Sequence, residues 1–293
     1  MAEVKTIAVC GAGIMGRGIA HASAAGGYRT LLQDISSAAL ATAQTEIRAN
    51  LDKAVELGKS TREDAGAAFS RIQFVSTVGE AAADADLVIE AIPEEMPLKI
   101  ELFTALDKLT PPSTILASNT SSLSITEIAS VTSRAPKCLG MHFFNPVHKM
   151  KLIEIVRALE TDASTVATAA EVGRRMKKDT VVIRESPGFI TSRINAMIGN
   201  EAFYMLQEGV ASAEDIDKAL KLGLNHPMGP FELVDLVGLD TRLHILEYLH
   251  KSLGDKYRPC PLLAQYVKAG RLGRKSGRGV YDYPQQNKAQ ATK

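Results

Sequence analysis

His142 closes one apolar run of the sequence, and Glu154 lies inside the next. An imidazole beside a carboxylate suits a general base working near neutral pH, because the carboxylate fixes the ring tautomer and supports the imidazolium. A histidine at a strand end serves equally well as a structural hydrogen-bonding group, and on these two residues alone both readings stand. A second constellation lies upstream, where a β-branched run leads into Gly11-Ala12-Gly13-Ile14-Met15-Gly16 and Asp34 follows the next apolar run. There Gly11 would allow a tight strand-to-helix turn, Gly13 would let a pyrophosphate approach the backbone, and Gly16 would let helix and sheet pack closely. The free N–H groups and positive dipole end of the helix favour phosphates. Asp34 is placed to hold a ribose 2′-hydroxyl and repel a 2′-phosphate, so the cofactor expected is NAD rather than NADP. Polar residues also follow a third apolar run, Ser118-Asn119-Thr120-Ser121-Ser122, at the kind of strand end where open sheets gather ligands.

These side chains need a sheet to hold them. Runs at 6–10, 30–33, 72–74, 87–91, 115–118, 138–143, 152–156 and 181–183 have strand character and alternate with helical patterns. That alternation predicts a parallel sheet with crossover helices. A long helical stretch at 38–57 interrupts the spacing, and Ser60 with Glu63, like Ser124 with Glu127, has the form of a capping box. The strand pattern stops after Ile183, Ser186-Pro187-Gly188 marks a junction, and 189–208, 213–222, 231–253 and 262–269 are helical in pattern. The expected fold is α/β, an N-terminal Rossmann-like doubly wound sheet over 1–186 with a C-terminal all-helical domain over 187–293. Ile190, Ile194, Met197, Ile198 and Met205 recur at helical spacing as core or dimer packing. The helix they belong to is apolar beyond one sheet face, which predicts a homodimer with part of this domain at the interface. Residues 285–293 are polar and are expected to fray.

The composition excludes several classes. With 34 basic against 33 acidic residues, the chain has no electrostatic reason to bind nucleic acid or an anionic membrane. Cys10, Cys138 and Cys260 are isolated, which gives neither a zinc pattern nor a disulfide framework and points to a reducing compartment. No apolar stretch reaches the roughly 18 residues of a membrane span. The first strand begins too close to Met1 to leave room for a leader, so a cytoplasmic protein is expected. The other histidines lack a setting like that of His142, and no metal site is expected.

Taken in order, Gly11 to Gly16, Glu90-Ala-Ile-Pro-Glu94, Ser118 to Ser122, His142-Phe-Phe-Asn-Pro146, Ser186-Pro-Gly-Phe-Ile190 and Pro227-Met-Gly-Pro-Phe-Glu-Leu233 resemble the L-3-hydroxyacyl-CoA dehydrogenase family, in its single-domain bacterial branch. The resemblance runs over roughly 5–283. It implies reversible oxidation of the 3-hydroxyl of an acyl-CoA, of short chain, with hydride passing to NAD. On this chain it makes His142 the general base and Glu154 its partner, and it sets Ser121 against the substrate's 3-oxygen, near the nicotinamide. Asn145 corresponds to a nicotinamide-side contact, Glu94 and Lys99 to residues lining the cofactor ribose and nicotinamide, and Lys275 to a lysine reaching back to the cofactor. As surface residues, Lys99 and Lys275 are equally consistent with solvated charge. The family's usual asparagine after Pro-Gly-Phe is replaced by Ser192, with Asn195 one turn further on. A serine can still donate to the substrate carbonyl, with a shorter reach. The stretch around Asn50, Lys53 and Lys59 is the family's CoA-contacting element, but it matches poorly here. Two alternatives remain on the same fold: a dehydrogenase of a free hydroxy acid or sugar acid, and a non-enzymatic dinucleotide-binding protein.

Overall fold

The computed structural model describes residues 3–283, so the polar terminus at 285–293 lies outside it. The chain divides into two compact units between Ser186 and Pro187.

In the first unit, β1 (Thr6–Cys10), α1 (Ile14–Ala25), β2 (Arg29–Gln33), α2 (Ser37–Glu56), α3 (Arg62–Ser70) and β3 (Ile72–Val75) form one half of a sheet. The chain then returns through α4 (Val78–Ala82), β4 (Leu87–Glu90), α5 (Met96–Leu109), β5 (Ile115–Ser118), α6 (Ile125–Ser130) and β6 (Cys138–Phe143). It closes with β7 (Leu152–Arg157), α7 (Ala163–Arg175) and β8 (Asp179–Arg184). The strand order is β3-β2-β1-β4-β5-β6-β7-β8, so the direction of winding reverses between β1 and β4. A crevice at such a reversal is where doubly wound sheets bind their ligands. The central strands β1, β4, β5 and β6 are buried at every position because both faces are covered there, whereas β8 at the edge is exposed along much of its length. Ile7 and Val9 of β1 join one apolar cluster, while Ala8 and Cys10 join the other.

The parallel expectation fails at one pair: β6 and β7 are antiparallel. The reason is chain length, since 144–151 is too short for a parallel crossover, which takes a dozen or more residues. The sheet is therefore mixed. A second correction concerns capping. Thr61, not Ser60, caps α3 by accepting from the Asp64 N–H. Ser124 caps α6 by accepting from the Glu127 N–H, the half of the expected capping box that the helix start shows.

The second unit contains α8 (Thr191–Gln207), α9 (Ala213–Gly223), α10 (Pro230–Val237), α11 (Leu239–Leu253) and α12 (Pro261–Lys268) around a core of its own. The single helix expected over 231–253 is broken at Gly238, whose φ of 107° no right-handed helix admits. The fully buried face of α8 is Ala196, Gly199, Asn200, Ala202 and Phe203. Of the stripe singled out from sequence, Met197 and Met205 pack against this core, while Ile194 and Ile190, just before the helix, are exposed.

Candidate active site

Gly11 leaves β1 at φ 100°, and a side chain there would lie 2.6 Å from the Ala91 carbonyl oxygen, so the turns after β1 and β4 abut at the winding reversal. A Cβ on Gly16 would sit 1.6 Å from the Gly11 carbonyl oxygen, which forces glycine where helix meets turn. Gly13 differs, because a Cβ there meets nothing within 4 Å. Its outer side faces open space at the start of α1, where no side chain caps the first N–H groups. Ile14 is exposed and Met15 half-buried on the first turn. Asp34 accepts from the Ala12 N–H at 2.7 Å and from the Ser36 N–H at 2.8 Å, one bond to each oxygen. A carboxylate has about four acceptor sites, so both oxygens keep capacity for ribose hydroxyls. Open helix-start amides, an unobstructed Gly13 and an anchored carboxylate fit a dinucleotide.

His142 Nδ1 lies 2.7 Å from Glu154 Oε2, with both side chains buried. The antiparallel register makes this contact, since His142 and Glu154 are directly opposed and therefore project from the same face. An ionised carboxylate only accepts, so Nδ1 carries the proton and Nε2 is the basic nitrogen. The Phe144 ring packs against the imidazole at 4.5 Å between centroids. Asn119 accepts from the Phe143 N–H at 2.9 Å and ties the end of β6 to the loop after β5.

That loop is organised by carboxylates from the β4 side. Glu94 Oε1 accepts from the Thr120 hydroxyl, from the Ser121 N–H at 2.9 Å and from the Ser121 hydroxyl at 3.3 Å. Lys99 corrects the expectation of a surface residue, for it is 1% exposed and bonded to Glu90 at 2.6 Å and Glu94 at 3.2 Å. Cys10, beside Glu90 across the β1–β4 pair, has its thiol pushed up to about 12 by burial and then by the Glu90 charge. It is an inert core residue.

Asn145 is exposed and lines a groove of about 180 Å³ with Arg17, His21, Asn50 and His148. The loop carrying it is pinned by Lys178, whose ammonium donates to the Val147 and Met150 carbonyls. In the second unit, Ser192 and Asn195 are both half-buried on the first turns of α8. Lys275 is exposed there and paired with Asp240 at 2.6 Å. The described residues contain no His, Cys, Asp and Glu group that could hold a metal.

Sequence reasoning passed over Glu90 and Thr120. Glu90 had a signal, a carboxylate ending the apolar run Leu87-Val-Ile, which needs a buried cation to balance it. The arrangement as a whole can bind a dinucleotide beside a buried imidazole whose orientation a carboxylate fixes, with hydroxyl donors on the adjacent strand end. That is equipment for moving a proton to or from a hydroxyl.

Residues 6–186 match the NAD-binding domain of 3-hydroxyacyl-CoA dehydrogenase, and 188–283 match the C-terminal domain of the same enzyme. A Bacillus subtilis protein named "Probable 3-hydroxybutyryl-CoA dehydrogenase" is 49% identical, over 96% of this chain and 98% of its own. The 3-hydroxybutyryl-CoA dehydrogenase of Bradyrhizobium diazoefficiens is 45% identical over 96% of each. The crystal structure of (S)-3-hydroxybutyryl-CoA dehydrogenase from Ralstonia eutropha superposes with a TM-score of 0.93 at 43% identity, covering 96% of this chain and 99% of that one.

Proposed function

This chain belongs to the 3-hydroxyacyl-CoA dehydrogenase family, and we propose that within it His142 and Glu154 are the pair that handles the proton. The reaction is the NAD-dependent oxidation of an L-3-hydroxyacyl-CoA to the 3-oxoacyl-CoA. The dinucleotide is held by the turn from Gly11 to Gly16, including the backbone of Ala12, Ile14 and Met15, with Asp34 on a ribose. When bound, NAD supplies the acceptor for the hydrogen and electron pair leaving carbon 3. His142 Nε2 takes the proton of the 3-hydroxyl. Glu154 accepts from Nδ1–H throughout, so it stabilises the imidazolium without itself being protonated. In the reverse direction the same nitrogen returns the proton. Ser121 turns its single hydroxyl proton from Glu94 to the 3-oxygen when substrate binds. Glu94, Asn145 and Lys275 serve the cofactor side, Lys99 acting there through Glu94, and Ser192 serves the substrate carbonyl.

The observation that carries this reading is the buried 2.7 Å contact between His142 and Glu154 on paired strands. The short-chain substrates in the relatives' names support a short acyl group. The unit over 1–186 is assigned to the dinucleotide, and that over 187–293 to the acyl group and to the contact between two copies in a homodimer. No helix among the described residues is long and apolar enough to cross a membrane. The isolated cysteines support a cytoplasmic location.

The test is reduction of acetoacetyl-CoA by NADH, followed for wild type, His142→Ala and Ser192→Ala, with free acetoacetate as a second substrate. Wild type should turn over the thioester far faster than the free acid. His142→Ala should lose about 10²–10⁴-fold in kcat, the range for a general base. Comparable rates on free acid and thioester would reverse the substrate assignment. Full kcat/KM in Ser192→Ala would remove that serine from the site.

A further inference from the structure

We propose that Glu90 is a positioning residue for this site: by taking Lys99 as its closer partner, it leaves one oxygen of Glu94 to hold the Ser121 loop. The proposal rests on the roles given above to Glu94 and Ser121. Glu90 ends β4 with no exposed surface. Its Oε1 accepts from Lys99 Nζ at 2.6 Å and from the Ile92 N–H at 2.9 Å, and its Oε2 accepts from the Ser118 hydroxyl at 2.6 Å. Lys99 comes from α5, and its second, longer contact of 3.2 Å is to Glu94 Oε2. That leaves Glu94 Oε1 for Thr120 and Ser121.

The charge count decides what this does. Two carboxylates face one ammonium, so the cluster keeps one net negative charge. Glu90 is fully buried and Glu94 is 37% exposed, so the unbalanced charge sits at the Glu94 end. Burial holds the Glu90 carboxyl above its ordinary range, against the pull of Lys99, Ser118 and the Ile92 N–H. What marks it as the ionised partner is geometry, since both its oxygens accept, from an ammonium, an amide and a hydroxyl. Without the Glu90 charge, a buried ammonium would have Glu94 as its one carboxylate partner. An unbalanced buried ion is costly enough to move a half-exposed partner. Glu94 would then be drawn toward Lys99, away from the Ser121 N–H and hydroxyl.

Glu90→Gln keeps the side-chain size and removes the charge. Steady-state reduction of acetoacetyl-CoA by NADH would compare it with Lys99→Met, the double variant, Glu94→Gln and Ser121→Ala. In Glu90→Gln we expect kcat to fall about 10-fold with the acyl-CoA KM within about twofold. On the Lys99→Met background the same change should add less than about twofold, because its effect runs through that lysine. A lower Tm with unchanged kcat would mark Glu90 as a mere staple between β4 and α5 and overturn the proposal. So would multiplicative effects of Glu90→Gln and Lys99→Met. Should Glu90→Gln not fold, Glu90→Asp keeps the charge and withdraws it by one methylene; kcat should again fall, and a wild-type kcat would overturn the proposal. If Glu94→Gln and Ser121→Ala both behave as wild type, the reading of the site itself fails and this proposal with it. If they are impaired while Glu90→Gln is not, only the role of Glu90 fails.

Discussion

His21 and His148 stack with their rings 5° from parallel and 5.9 Å apart, beside the groove that Asn145 lines. Burial first, then the charges of His148 and Lys178, lowers His21 to about 4, from an ordinary value of 6.5. The folded protein therefore keeps His21 neutral at pH values where the unfolded chain protonates it. Stability from this group is complete above about pH 6.5 and is lost as pH falls toward about 4. Between pH 7.5 and pH 5 the loss should be about 2 kcal/mol. Urea unfolding of wild type beside His21→Gln measures it, since the variant should lack this share of the pH dependence; equal slopes would reject the assignment. Not every single residue was legible from sequence. Asp34 was, because its task depends on a local spacing after the glycine turn. The burial of Lys99 was not, because its partner Glu90 belongs to a different element and only the return of α5 against β4 brings them together.

At the scale of elements, the three glycines of the turn separate folding from binding. Gly13→Ala adds a methyl group that touches nothing in the chain, at an N-cap whose φ of −63° alanine also adopts. Its Tm should stay within about 2 °C of wild type, while the KM for NADH rises about 10-fold or more as the methyl meets the pyrophosphate. Gly16→Ala should instead lower Tm sharply, because its methyl collides with the Gly11 carbonyl. A Gly13→Ala protein with unchanged NADH affinity would deny the turn its assigned ligand. Elements were legible wherever periodicity is local, as in β1, β5 and β6, whose limits the apolar runs mark. Strand direction was not, because alternation looks the same both ways; only the short connection at 144–151 carried that information. The cap on α3 moved from Ser60 to Thr61 because hydroxyls stood at both positions, and both Glu63 and Asp64 could follow them.

At the scale of the whole molecule, the two-unit division was legible because strand patterning stops before the Pro187-Gly188 turn. The face on which two copies would meet was not, since an apolar helix residue has the same signature in a core as on a surface. In the second unit Ile194 is 57%, Leu222 77% and Leu224 66% exposed. Light scattering at micromolar concentration should give twice the mass of one chain, and Ile194→Asp with Leu222→Asp should shift it toward one; a wild-type monomer would end the homodimer proposal. The β6–β7 hairpin bears on how such a chain can diverge. Side chains on a strand alternate strictly, so losing one residue between Leu152 and Glu154 would turn the carboxylate away and present isoleucine to His142. Insertions at 144–151 leave the pairing intact, whereas an insertion or deletion inside either strand destroys it. The dyad is thus inherited in whole steps, and drift in substrate must be sought in the parts of the chain that can change by degrees.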